Sequence, residues 1–487
     1  MRVHLVGVAG TGMGQLATLL RDAGHDVSGS DVAFDPPMGP ALREAGIRCL
    51  RGWDAAHVTK ELDLVVIGNA IRKENPEAQA AEALGLERRS MSATLREQFL
   101  EGRRPLVVAG THGKTTTSAM CAWIFSQAGL EPGYFIGGLP KNFPSGSAIG
   151  STKRRLMTSS PAKPAPFVVE GDEYDAVYWN KKPKLFDYAN VSPDEVAIVT
   201  SVEQDHIDVY ATKEIYEAQF EAFVAMVPES GLVVCDARDA NARRIVKGHA
   251  LARTAFYGLE GDETGDVTPT WQGAMVAPDP ETGAQPFDLY AGGSYCGRFA
   301  LRVPGAHNVR NAVGAIAACA EGFGVGVATA LKAMTAFEGV RRRQDLLGTP
   351  RGIAVYDDFA HHPTAVDETL RALASRHPKG KLWAVFEPRS ATACRSLHQQ
   401  EYAHAFQAAT HVVFAPLGRT NIPEGERLDL PKLAKAIGPA ARTAESVDAI
   451  LAMLMAEAQP GDAIALLSNG AFGGIHKKLL DALASKT

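Results

Sequence analysis

Short apolar runs alternate with longer helical spacings along most of the chain. Residues 3–8 are apolar, 15–23 repeat with helical spacing up to Gly24, and 25–30 lead to Asp31. Residues 62–67 form another strand-like run that ends at Gly68-Asn69-Ala70. This alternation predicts a parallel sheet with helices on its faces, in which ligands bind at the carboxyl ends of the strands. Residues 105–108 open a second series: a glycine-rich turn follows, then a helical pattern over 118–126 that Gly129 ends. Further strands are expected at 167–170, 196–201 and 231–235, and a β-rich excursion over 258–295. A helix is expected over 308–322, with small residues that let it pack closely. From Arg341 the alternation resumes, with strands at 353–358, 381–386, 411–415 and 462–467 and helices such as 366–374 and 447–456. The expected fold is α/β in three domains, 1–103, 104–340 and 341–487. Arg103-Arg104-Pro105 is expected as the first hinge, and the Pro-, Ser- and Lys-rich stretch 140–166 as an exposed loop.

Composition narrows the class. A length of 487 residues exceeds one ordinary domain. Hydrophobic content of 46% with 22% charged residues fits a globular protein with ample core. The net charge of −5 argues against general nucleic-acid or anionic-membrane binding. No apolar stretch reaches about 18 residues, so no membrane span is expected. The chain reads from Met1 straight into a strand, so no secretory leader is expected. Six cysteines (Cys49, Cys121, Cys235, Cys296, Cys319, Cys394) contain no C-x-x-C pair, which points to reduced thiols in the cytoplasm.

The chemistry is concentrated at strand ends. Ala109-Gly110-Thr111-His112-Gly113-Lys114-Thr115-Thr116-Thr117 lies between a strand and a helix N-terminus, where backbone N–H groups cradle phosphate. Lys114 neutralises the anion and Thr115 is placed to ligate Mg²⁺. The strict phosphate-loop pattern needs Gly at 108, where this chain has Val108. Gly7-Val8-Ala9-Gly10-Thr11-Gly12-Met13-Gly14 is a second glycine turn, with Asp31 at the next strand end placed for ribose hydroxyls. Gln15 stands where a dinucleotide fingerprint has its last glycine, so a nicotinamide or flavin cofactor and another nucleotide diphosphate both remain open. Glu170, ending a buried strand, suits Mg²⁺. Asp172 and Glu173 belong to the same acidic run, with a helix cap as the alternative reading. His206, in Glu203-Gln204-Asp205-His206, is a candidate for a metal or a substrate carboxylate. Asn308 is either an N-cap or, with Asn311 one turn on, a contact for an adenine edge. Arg341-Arg342-Arg343 is either a solvated run or a source of positive charge for a phosphoryl group. In Asp357-Asp358-Phe359-Ala360-His361-His362-Pro363, adjacent histidines point different ways, which disfavours two ligands to one metal.

Together these motifs resemble the Mur ligase family, three-domain ATP-dependent amide-forming enzymes of peptidoglycan metabolism. The resemblance covers nearly the whole chain, with residues 109–117, 170–175, 205–206, 307–311, 342–343 and 357–363 in the family's order. It implies ATP at Gly110, Thr111, His112, Gly113, Lys114, Thr115, Thr116, His307, Asn308, Asn311, Arg342 and Asp358. It implies Mg²⁺ at Thr115, Glu170 and His206, and chemistry at Lys114, His206 and Arg342. Residues 7–14 and 357–363 look like the branch that takes UDP-N-acetylmuramate, with Gly10, Thr11, Gly12, Met13, Asp31 and Asn69 on the UDP-sugar. Two acceptors occur in that branch: L-alanine, and the murein tripeptide L-Ala-γ-D-Glu-meso-diaminopimelate. Pro36-Pro37-Met38 with 68–70, Phe386–Thr392 and 468–476 favour the tripeptide, with His361, Arg389 and Asn469 as its contacts. Ser390 and Ala393 stand where the alanine enzyme carries arginines. Gly171 replaces a usual Ala, and the loop near 151–166 is longer than typical. No counterpart of the carbamylated lysine of many relatives is evident; Glu221 has about the right spacing. The resemblance implies a cytoplasmic monomer or weak homo-oligomer. The rival classes are an NAD(P)-dependent oxidoreductase and a nucleotide-binding regulator without turnover.

Overall fold

In the computed structural model, residues 1–35, 38–151, 164–279, 283–419 and 421–485 are described. Residues 152–163 of the expected exposed loop at 140–166, and Pro36-Pro37, lie outside them. Three large sheets follow one another along the chain. The first is fully parallel, in the spatial order Arg48–Arg51, Asp26–Asp31, Arg2–Val6, Leu64–Ile67, Arg88–Ser90. Chain order reverses direction beside Arg2–Val6, so a crevice opens where the glycine turn and Gly68-Asn69 both emerge.

The second sheet has ten strands. Its parallel centre runs Arg253–Leu259, Leu232–Asp236, Val196–Val199, Arg104–Ala109, Pro166–Glu170, Gly133–Phe135. Trp271–Met275, Gln285–Ala291 and Ser294–Leu301 extend one edge, the last two antiparallel, which is the β-rich excursion expected from the sequence. The helix Lys114–Gln127 starts four residues before the pattern suggested, directly after the glycine turn. It is buried on nearly all sides, between the sheet and the helices Ala306–Ala317 and Val327–Thr335, so its sequence carries little amphipathic signal. Small residues do let Ala306–Ala317 approach closely: a Cβ on Gly314 would lie 2.6 Å from the Tyr257 ring. The N-cap of that helix is Gly305, so Asn308 is not the cap; its Nδ2 donates to the Pro304 carbonyl at 2.7 Å.

The third sheet orders Asp345–Gly348, Ala354–Asp358, Ala463–Leu467, Leu382–Phe386, His411–Phe414 and Ala441–Thr443, parallel except for the first strand. It docks on the second unit through polar contacts. Lys141 Nζ meets Asp345 Oδ1 at 2.6 Å, Arg238 meets Glu368 at 2.9 Å, and Gln344 Nε2 lies 3.0 Å from His307 Nε2. Arg103 and Arg104, where the first hinge was expected, are anchored by their side chains to the second unit. Both are buried; Arg103 donates to the carbonyls of Ile149 and Ser151, and Arg104 opens a strand while bonding Asp194. Desolvated guanidinium groups need such acceptors, so the join is stiff there.

Below the first crevice, fully buried Glu77 gathers His4 Nε2 (3.2 Å), His57 Nδ1 (2.7 Å), the Asp54 N–H (3.1 Å) and the Ser30 hydroxyl. Burial pushes its carboxyl up, and these hydrogen bonds more than reverse the effect. The network braces Ser30, whose carbonyl accepts from the Gly7 and Val8 N–H groups at 2.9 and 3.0 Å. Glu77→Ala orphans the buried His4 and Ser30 and frees His57 and the Asp54 N–H, and is expected to cost about 3 kcal/mol or more. A urea midpoint unchanged from wild type contradicts that role.

Candidate active site

A cavity of about 500 Å³ spans the first two units. One wall is the first glycine turn: Gly7, Gly10, Thr11, Gly12, Met13, Asp31, Gly68 and Asn69. The other carries Lys114, Gly137, Glu170, Asp172 and Lys184. Two strand-end turns from different sheets therefore face one space. The helix Thr11–Asp22 presents its N-terminus there without a side-chain cap, leaving N–H groups open to an anion. Asp31 is divided: Oδ2 accepts from the Ala9 N–H at 2.9 Å, which braces the turn, while the residue still lines the cavity.

The second turn needs its glycines. Gly110 has φ +132°, and a Cβ there would lie 2.1 Å from Thr200 Oγ1. Gly113 has φ +79°, and a Cβ would meet Asn311 Oδ1 at 2.6 Å. Asn311 thus lies against the turn. The hydroxyl of Thr111 accepts from the Glu203 N–H and donates to its carbonyl, both at 2.9 Å, which ties the turn to the neighbouring strand end. Thr116 is buried inside the first turn of the helix.

Lys114 is the charge at the centre. Its Nζ lies 2.9 and 3.0 Å from the two oxygens of wholly buried Glu173, and also donates to the Gly110 and Thr111 carbonyls. Burial pulls the ammonium pKa down, but Glu173 outweighs it and raises the value, so Lys114 stays charged. His206, held at φ +53°, places Nε2 3.8 Å from Glu173 on the other side. Thr115 Oγ1 donates to Glu170 Oε1 at 2.8 Å, and Glu170 Oε2 accepts from the Gly137 N–H at 2.6 Å. A hydroxyl and a carboxylate paired at a phosphate turn are hard oxygen donors that fit Mg²⁺. Asp172 and Glu173 cap no helix, since the segment after Glu170 enters the hairpin Asp175–Val177/Asn180–Pro183. Asp172 pairs instead with Lys184 Nζ at 2.6 Å; burial pushes its carboxyl up, and Lys184 holds it well below the usual range.

Several expected positions are corrected. Arg342 turns away from the phosphate turn: its Nη2 donates to the Ser468 and Gly470 carbonyls at 2.7 and 2.8 Å, and its Nε lies 3.3 Å from Asp357. Arg343 is the one that reaches the turn, with Nη2 3.4 Å from Thr115 Oγ1. A left-handed backbone at Arg342, φ +60°, sends the neighbouring side chains to different sites. Asp358 is buried, with one oxygen taking the Gln344 N–H and the other the Ala360 N–H, both at 2.7 Å. It shapes the junction rather than facing the cavity. Glu221 faces Arg244 at 3.1 Å and His249 at 3.7 Å on the next helix, so it does not replace a carbamylated lysine.

The expected peptide contacts separate. Arg389 lies over Gly418 and Gly470, 3.5 Å from Glu387, with nearly half its side chain exposed. Glu387 also takes the Ser468 hydroxyl, which brings Asn469 into this group. His361 lies elsewhere, with Nε2 3.7 Å from Asp205 at the junction with the second unit. The side chain of His112 likewise leaves the cavity and meets Glu203 at 3.2 Å. Lys184 was passed over in the sequence reading, which named Glu173 only within an acidic run and Arg343 only as one of a run of arginines. Their signals were present but weak: an acidic residue three past a strand end, a lysine just after a basic hairpin, and the last arginine of a run.

Three family models match in chain order. The Mur ligase family catalytic domain covers residues 2–101, the Mur ligase middle domain 108–319, and the Mur ligase glutamate ligase domain 342–470. The UDP-N-acetylmuramate–L-alanyl-γ-D-glutamyl-meso-2,6-diaminoheptandioate ligase of Escherichia coli is 36% identical, covering 100% of this chain and 99% of its own. The UDP-N-acetylmuramate–L-alanine ligase of Chloroflexus aggregans is also 36% identical, over 96% of this chain and 95% of that protein. The crystal structure of a murein peptide ligase from Psychrobacter arcticus superposes with TM-score 0.73 at 33% identity, covering 100% and 99% of the two chains. The chain belongs to the Mur ligase family, whose members are ATP-dependent ligases of peptidoglycan synthesis. The oxidoreductase alternative is set aside by this membership.

Arg343→Ala is expected to weaken ATP binding at least tenfold, because its guanidinium is the one beside Thr115. Arg342→Ala is expected to lower the unfolding midpoint while leaving nucleotide affinity within a few-fold. Isothermal titration of both variants with ATP separates the two roles; a reversed ranking contradicts the assignment.

Proposed function

We propose that this Mur ligase joins UDP-N-acetylmuramate to the tripeptide L-Ala-γ-D-Glu-meso-diaminopimelate, in the recycling of murein peptides. The observation that carries the reading is the glycine floor under Arg389. A Cβ on Gly470 would fall 2.1 Å from Arg389 Cδ and one on Gly418 2.9 Å from its Cγ, so the half-exposed guanidinium is seated rather than loose. A seated, half-exposed guanidinium is a bidentate partner for one carboxylate of an acceptor that bears several. The name of the Escherichia coli relative supports the same acceptor. A second reading, L-alanine as acceptor, is favoured by relatives of equal identity that bear that name.

The mechanism begins with carboxyl activation. The lactyl carboxylate of the muramyl group attacks the γ-phosphorus of ATP, giving an acyl phosphate and ADP. The acceptor α-amine then attacks the acyl carbon, loses a proton, and phosphate departs from the tetrahedral intermediate. Two anions approach in the first step, so positive charge must be concentrated there. Lys114 and Arg343 supply it at the glycine turn, and Lys184 extends it along the cavity toward the first unit. Thr115 and Glu170 are placed to hold Mg²⁺, which when bound neutralises phosphate charge. Glu173 keeps the ammonium of Lys114 aimed across the turn, and His206 backs Glu173. The glycine turn at 7–14, with Asp31 and Asn69, is placed for the UDP moiety. The third unit covers the turn from the far side, which keeps water from the acyl phosphate.

The substrates are cytoplasmic metabolites, and the six free cysteines fit that compartment. No helix among the described residues is long and apolar enough to cross a membrane.

Offered L-alanine and the tripeptide separately, the protein is expected to release ADP at least tenfold faster with the tripeptide; the opposite preference establishes the second reading. Lys114→Ala is expected to lower kcat by about 10²–10³, and a variant within a few-fold of wild type removes Lys114 from the chemistry. Arg389→Ala is expected to raise the tripeptide KM strongly while sparing that of the UDP-sugar. Equal losses for both substrates contradict a peptide contact.

A further inference from the structure

Behind the phosphate turn, where the second and third units meet, three side chains converge outside the substrate cavity. His112 Nε2 lies 3.2 Å from Glu203 Oε2, and His362 Nδ1 lies 3.4 Å from the same oxygen. All three donor atoms fall within 4.8 Å of one another. Thr364 Oγ1 donates to that carboxylate at 2.6 Å and fixes its orientation. His362 is nine-tenths buried, 6% exposed, yet neither of its ring nitrogens makes a hydrogen bond among the described residues. A buried imidazole with two idle nitrogens is costly unless something else takes a lone pair.

We propose that His112, Glu203 and His362 form a binding site for a divalent transition metal, Zn²⁺ foremost, that clasps the second unit to the third. Ligand atoms about 2.0–2.1 Å from a tetrahedral ion lie roughly 3.3 Å from one another. Two of the three separations have that length before any ion enters. Two imidazoles and one carboxylate with a fourth position for water are a zinc-type donor set, whereas Mg²⁺ prefers oxygen alone. Binding replaces the proton between His112 and Glu203 and takes the idle Nδ1 lone pair of His362. The ligands come from both sides of the junction: His112 lies in the phosphate turn, Glu203 at the neighbouring strand end bonded to it, and His362 is the N-cap of the helix Pro363–Arg376. The ion therefore favours the closed arrangement of the two units. The site takes no substrate group and is distinct from the Thr115–Glu170 pair.

The test uses the intact protein, stripped of metal and free of nucleotide, titrated with Zn²⁺ against a chromophoric chelator. One equivalent is expected to bind, with affinity falling at least tenfold in His362→Ala and in Glu203→Gln and unchanged in His404→Ala, a change at an exposed histidine. Zinc is also expected to raise the wild-type unfolding temperature. No retained zinc, or equal affinity in all four proteins, overturns the proposal. Should His362→Ala or Glu203→Gln fail to fold, the anomalous signal of zinc-soaked wild-type crystals decides. A peak about 2.0–2.2 Å from the three donor atoms supports the site, and peaks only elsewhere overturn it.

Discussion

The charge of Lys114 inside a nearly closed site is the constraint on which the rest depends. An ammonium group taken out of water is stable only with partners, and here they are Glu173 and the carbonyls of the turn itself. Placing Glu173 requires Pro166–Glu170 to lie next to Arg104–Ala109 and the chain beyond to turn inward, with the Tyr210 hydroxyl on the Glu173 carbonyl. Placing Lys114 requires left-handed glycines at 110 and 113. The parallel sheet thus brings opposite charges together from two strand ends distant in sequence. An anion entering the turn competes with Glu173 for the same ammonium, which makes the site responsive to phosphate.

The constraint reaches both neighbouring units. On one side the first glycine turn shares a cavity with Lys114 and Glu170, so a UDP-sugar and a triphosphate can approach end to end. On the other, Arg343 reaches Thr115 across the junction, while backbone groups of the third unit hold Asp358, through the Gln344 and Ala360 N–H, and Arg342, through the Ser468 and Gly470 carbonyls. The contacts across this junction are mainly polar and charged, as suits units that close and reopen during a reaction.

Much of this was legible from periodicity and punctuation. The strand runs, the two glycine turns and the three alternating series stand in the structure within a few residues of expectation. The pairing of Thr115 with Glu170 followed from strand-end logic. What escaped was set by tertiary geometry. Nothing local distinguishes Arg342 from Arg343; the left-handed backbone at Arg342 decides which one faces the turn. The helical spacing of Glu221 is blind to which face meets Arg244. Asp358 was expected on the nucleotide from the family resemblance, yet two backbone N–H groups claim its oxygens. Arg103-Arg104 was read as a hinge from its place between two alternating series, and here carbonyls of the second unit hold both.

The central claim is that carboxyl oxygen attacks phosphorus within this cleft. UDP-N-acetylmuramate labelled with ¹⁸O in its lactyl carboxylate, turned over with ATP and the tripeptide, tests it directly. The account predicts one ¹⁸O atom in the released phosphate, transferred when the acyl–oxygen bond breaks. Product formed with unlabelled phosphate contradicts it.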